Sequence, residues 1–187
     1  MRGSRLSGKP LAHPVPGDVM QRTHYKLWYR YNAVDRFLIW YTNERDGILD
    51  FEGCIPSFRT ESALLAYADS LSVTVEAEAS GLHDFDLVQT WLADPQPHRV
   101  NLYVFLDAWN LFGDVARTLP AVGGRFIELD SQLGTLYDKL FWANNLPAMT
   151  PEGERFVPEW STIEIEGFTA LLREGLSMLI RSLRDAG

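Results

Sequence analysis

The spacing of apolar residues changes once along this chain, at Gly81, and that change restricts the fold more than any single motif does. Before it the period is two. Leu27, Tyr29 and Tyr31 alternate with Trp28 and Arg30, and Phe37, Ile39 and Tyr41 alternate with Leu38, Trp40 and Thr42, which predicts two strands rich in aromatic and β-branched residues. Arg45, Asp46 and Gly47 then supply a hairpin-type turn into a third strand, Ile48 to Glu52, because glycine tolerates positive φ. Pro56 breaks that strand, and Glu61 to Leu71 has the composition of a short helix. Ser72 to Ala79 returns to alternation: Val73, Val75 and Ala77 are expected to face inward and Thr74, Glu76 and Glu78 outward, giving a half-buried strand with an acidic outer face.

After Gly81 the spacing is helical. In His83 to Ala93 the residues Phe85, Val88, Trp91 and Leu92 share a side, with Asp84 and Asp86 in the first turn, where the helix dipole favours anions. A second helix is expected from about Val100 to Leu119, closed by Pro120 and a Gly123-Gly124 loop, and a third over Ser131 to Trp142. The last should run from Thr162 to about Arg184, opened by Ser161 and Glu164 as a capping box. Gly175 interrupts its apolar stripe, which predicts a close approach by a neighbouring element. Strands first and helices later define an α+β fold: an N-terminal antiparallel sheet of about four strands against a C-terminal half of about four helices.

One domain fits the length of 187 residues, and 46% apolar residues suffice for one large core. Residues 1–19 hold three prolines, three glycines and no periodic pattern, and read as a flexible leader compatible with vector origin, leaving 20–187 as the domain. No charge-free run approaches the roughly 18 apolar residues of a membrane span, and the start lacks the apolar region of a signal peptide. The single cysteine, Cys54, has no partner for a disulfide or a thiolate zinc site, so a cytoplasmic location is expected.

The formal net charge is −8, and the leader carries Arg2, Arg5 and Lys9 against Asp18, so the remainder is two charges more negative still. That balance speaks against binding nucleic acid, which requires a basic surface, and favours a basic protein partner.

Few residues suggest chemistry. His83, Asp84 and Asp86 hold metal-ligand types, yet two acids at a helix start are accounted for by capping, and no HExxH pattern follows. No metal or cofactor is expected. Nucleophilic catalysis lacks a GxSxG elbow, and Cys54 has no histidine near it in sequence. Asp107, Asn110, Asp114 and Arg117 recur on one face of the second helix. That face reads as a solvated stripe, a polar network against Tyr137, Asp138 and Lys139, or a patch that meets a partner. In LYDKLFWANNLPAMTPEG, Trp142 stands beside Asn144, Asn145 and Pro147, which fits a packed helix stop: an asparagine takes the left-handed cap and proline blocks continuation.

The segments HDFDLVQTWL, FLDAWNLFGDVARTL and LYDKLFWANNLPAMTPEGERFVPEWSTIE resemble a family of bacterial immunity proteins of contact-dependent growth-inhibition and related polymorphic toxin systems. The resemblance covers about His83 to Leu183 and is weak over the strands. It implies a small cytoplasmic protein that binds the C-terminal toxin domain of a cognate effector, often a nuclease, and occludes it without catalysis. With the composition, it nominates Glu76 and Glu78 as partner-binding residues, followed by Asp84, Asp86, Asp107 and Asp114. An alternative of another class is a small-molecule enzyme or binding protein with a pocket near Asp107, Asn110, Asp114 and Trp142.

Overall fold

A computed structural model describes residues 22–78, 81–151 and 153–187; the expected leader lies outside the described residues. Strands β1 (Thr23–Tyr31) and β2 (Val34–Thr42) form the antiparallel hairpin that the alternation predicts, paired over their whole length. Its two-residue turn, Asn32-Ala33, has both φ angles positive, at 52° and 58°, the backbone twist that matches a right-handed strand pair. Asp86 secures this turn from a distance. Its carboxylate accepts the amides of Asn32 and Ala33 at 2.6 and 2.8 Å.

Strand β3 (Gly47–Ile48) extends the sheet antiparallel to β2; the Leu49 amide still donates to the Ile39 carbonyl at 2.8 Å, and Asp50 to Glu52 of the expected strand leave it. On the other edge the expectation of an all-antiparallel sheet is corrected, because β5 (Val75–Glu76) and β6 (Leu82–Asp84) both pair parallel to β1. The sheet is mixed, of five strands in the order β3-β2-β1 with β5 and β6 sharing the β1 edge. The intervening helix α1 (Glu61–Ser70) supplies the crossover that parallel pairing requires.

The two faces of the hairpin build two cores. Leu27, Tyr29 and Leu38 face the helical half and join its large cluster, whereas Ile39 and Phe58 pack with Leu64 and Ala68 of α1 on the opposite face. Beyond β6 come α2 (Phe85–Ala93), α3 (Leu102–Thr118), α4 (Pro120–Gln132), α5 (Gly134–Ala143) and α6 (Thr162–Ser182), which carries the expected capping box at Ser161 and Glu164. The α+β class stands, with strands in the N-terminal half and helices in the C-terminal half.

Helix α4 replaces the loop expected at Pro120 and Gly123-Gly124. Proline at the first helical position loses no hydrogen bond, and a Cβ on Gly123 would stand 2.5 Å from the Cα of Ala116, so glycine there permits α3 and α4 to touch backbone to backbone. Gly175 of α6 has the anticipated role, since a Cβ would enter the Phe112 ring. A short strand at the C-terminal end, β7 (Leu183–Asp185), pairs parallel with β4 (Ile55–Ser57). Asp185 there meets Arg59 at 2.7 Å and Arg36 at 3.1 Å, and these guanidiniums hold its carboxyl well below the usual carboxylate range. Among the described residues no helix is long and apolar enough to cross a membrane.

Candidate functional site

A cleft of about 710 Å³ opens where α3 crosses the sheet. It follows from the amphipathic pattern of α3: Phe105, Ala108, Trp109, Phe112 and Val115 are buried in the core, which rotates Asp107, Asn110, Asp114 and Arg117 toward the strands. The opposite wall is aromatic. Tyr25 and Trp40 are cross-strand partners on β1 and β2, with ring centroids 5.5 Å apart, and Leu27 and Leu111 contribute apolar surface beneath them. His83 of β6, Glu78 after β5 and Asp46 beside β3 complete the rim.

Asp114 is the deepest of these acids, 7% exposed. Its carboxylate accepts Trp40 Nε1–H at 2.9 Å and pairs with Arg117 one turn on. Burial pushes its carboxyl above the ordinary range, against the lowering pull of those two partners. Asp107 Oδ2 lies 2.7 Å from His83 Nδ1, an ion-pair distance when the imidazole is protonated, but the ring N–H is not aligned on it as a hydrogen bond. Asn110 accepts a hydrogen bond from Tyr137 Oη at 2.9 Å. The polar face of α3 is thus partly an internal network and partly the wall of an open cleft.

The six nominated acids separate. Asp107 and Asp114 line the cleft, and Glu78 stands on its rim with Glu76 exposed two residues before it; among the described residues neither glutamate forms an ion pair. Ala77, expected to face inward, is exposed as well, because β5 is only two residues long. Asp84 and Asp86 lie elsewhere. Asp84 caps α2 by accepting the amides of Asp86 and Leu87 on Oδ1, and Asp86 holds the hairpin turn with both of its oxygens. His83 belongs to β6, not to α2, and it meets Asp107 instead of its acidic neighbours. Among the described residues no group of three or more His, Cys, Asp or Glu side chains is placed to hold a metal ion.

Trp142, offered with the polar row as one pocket, stands apart from the cleft and is 50% exposed. The asparagines after it are structural. Asn145, at φ 48°, donates to the carbonyls of Ala143 and Phe156 at 2.7 and 2.9 Å and accepts from the Phe156 amide at 2.7 Å. Asn144 donates to the carbonyls of Leu140 and Leu102 at 2.9 and 3.2 Å, tying the end of α5 to the start of α3. What sequence reasoning missed is the contribution of His83 and of the Tyr25–Trp40 pair to the cleft. The available signal was their shared face: Tyr25 and Trp40 each sit two residues from a core leucine on the same strand.

These features define an α+β protein whose helical half leaves an acidic, aromatic-walled cleft against a mixed sheet. Neither a family model nor a curated protein matches the chain. Among solved structures, the C-terminal domain of SatS, crystallised in complex with bromine, is similar in fold: TM-score 0.53 and 17% sequence identity, covering 87% of this chain and 93% of that one. That likeness concerns the fold alone.

Proposed function

We propose that this is an immunity protein that neutralises a cognate toxin domain, of the nuclease kind, by covering its basic surface. The observation that carries the reading is the convergence of Glu78, after β5, with Asp107 and Asp114 of α3 on one cleft, in a chain whose net charge is −8. A nuclease presents a basic cleft to nucleic acid, and an acidic protein face competes for it by charge complementarity and steered encounter. Glu76 and Glu78 are suited to the encounter because they are exposed and free of ion pairs among the described residues. Such a partner is met in the cytoplasm, and occlusion requires no bond to be made or broken. The test is to express, in one cell, this chain and the toxin domain encoded immediately upstream of it. Restored growth and an isolable complex are expected; a toxin domain that is neither bound nor silenced contradicts the proposal.

A second reading, a small-molecule enzyme or binding protein, is favoured by one observation, the cleft volume, which falls in the roughly 300–1,000 Å³ range of ligand pockets. It predicts a metabolite retained in native mass spectrometry. Its pocket would comprise Asp107, Asn110 and Asp114 with Tyr25 and Trp40, and not Trp142.

A further inference from the structure

We infer that the cleft receives an arginine side chain of the protein partner, its guanidinium between the Tyr25–Trp40 wall and the carboxylates of Asp107 and Glu78. This deepens the neutralisation reading and rests on it for the identity of the partner.

The charge of the cleft is less balanced than its lining implies. Two cationic residues border it, but the ammonium of Lys26 is drawn 2.7 Å from Glu61 of α1, which packs on the opposite face of the hairpin. The Arg117 guanidinium is paired with Asp114. Among the described residues, four carboxylates, those of Asp46, Glu78, Asp107 and Asp114, therefore face a single guanidinium that is already paired. Among the described residues, Asp46 accepts only the Thr42 hydroxyl, at 2.6 Å, and Asp107 has only His83. An anionic ligand would be repelled.

The form of the cleft then selects among cations. Its acids are spread along α3 and the strand ends and do not converge on a point, so they complement an extended organic cation better than a metal ion. Leu27 and Leu111 are almost fully buried beneath the cleft, so a methylene stem would lie chiefly along the Tyr25 and Trp40 rings. Trp40 is fixed by its hydrogen bond to Asp114, which presents a settled aromatic surface at the mouth. A planar guanidinium stacks on such a surface and bonds a carboxylate in bidentate fashion, which a lysine ammonium does less well. The volume leaves room for the backbone that carries the side chain.

The probe is N-acetyl-arginine amide, titrated into the full-length protein and followed by amide and indole chemical shifts, beside its uncharged isostere N-acetyl-citrulline amide and N-acetyl-lysine amide. Shifts are expected at the Trp40 indole and around His83 and Asp107, with arginine bound about tenfold more tightly than citrulline and ahead of lysine. Glu78→Gln, at the exposed rim, and Asp107→Asn should each weaken the arginine probe severalfold, while Glu128→Gln on α4 leaves it unchanged; the same spectra report whether each variant is folded. Equal binding of arginine and citrulline, or shifts that fall outside the cleft, overturns the inference. A toxin domain that is captured and silenced while the arginine probe fails would sink the inference and leave the proposed function standing. An arginine probe that binds beside a toxin domain that does not would sink the proposed function and leave the chemistry of the cleft intact.

Discussion

The α3 cleft and the α5–α6 connection hold the two groupings of aromatic and polar residues that invite a functional reading, and they differ in where their polar atoms are used. Around Asn144 and Asn145 the side-chain amides are consumed by main chain: one closes α5 onto α3, the other binds Phe156 from both sides. Around Asp107 and Glu78 the carboxylates meet open space, a histidine or nothing charged among the described residues. Exposure of an aromatic therefore carries different meanings in the two places. Trp142 borders a fastened chain reversal, while Trp40 borders a cavity.

Substitutions that separate stability from binding sharpen this contrast. The largest effect is expected at Asn145→Ala, which removes three hydrogen bonds at a residue with φ 48°: a loss of about 2 kcal/mol in urea unfolding, with recognition in the cleft unaltered in the folded fraction. Next comes Glu76→Lys with Glu78→Lys. Stopped-flow association with the toxin domain should slow about tenfold at low salt and its salt dependence should flatten, because rim charges act on encounter. An unchanged rate would move the interface away from this rim.

Asp107→Asn should alter stability by only about 0.5 kcal/mol or less, since its partner is a partly exposed histidine, while weakening the partner. A large loss of stability would make Asp107 a structural residue like the asparagines. The smallest effect concerns Asp114. Burial raises its folded carboxyl above the unfolded value, so its contribution to stability is greatest below the ordinary carboxylate range and declines as pH rises through the raised value. Asp114→Asn should remove that decline, so that the variant gains on the wild type between acidic and neutral pH in parallel urea titrations.

Much of this architecture is written in local pattern. The β1–β2 pair, the faces of α3 and the box at Ser161 and Glu164 follow from periodicity and capping chemistry that neighbouring residues express. Long-range choices are not so written. Parallel pairing of β5 and β6 with β1 depends on the path of α1, and no alternation distinguishes it from a hairpin. Helix α4 was hidden because Pro120 and Gly123 are breakers by propensity, whereas at the first helical position and against Ala116 they are what the packing requires. The same limit applies to the site. Asp107 and Asp114 are legible as one helix face, but Glu78, His83 and Trp40 join them only through tertiary structure. Asp84 and Asp86 show the converse: acids readable as a binding patch prove to be a helix cap and the anchor of a distant turn.

The most direct measurement is the equilibrium affinity of the toxin domain that the proposed function requires for two charge-insertion variants, Asp107→Arg in the cleft and Trp142→Arg beside the asparagines, by titration calorimetry. The cleft account predicts that Asp107→Arg weakens binding by about a hundredfold, as a like charge placed in an anchoring site does, while Trp142→Arg binds as the wild type. Retained affinity in Asp107→Arg with loss in Trp142→Arg would contradict it and place recognition on the α5–α6 connection.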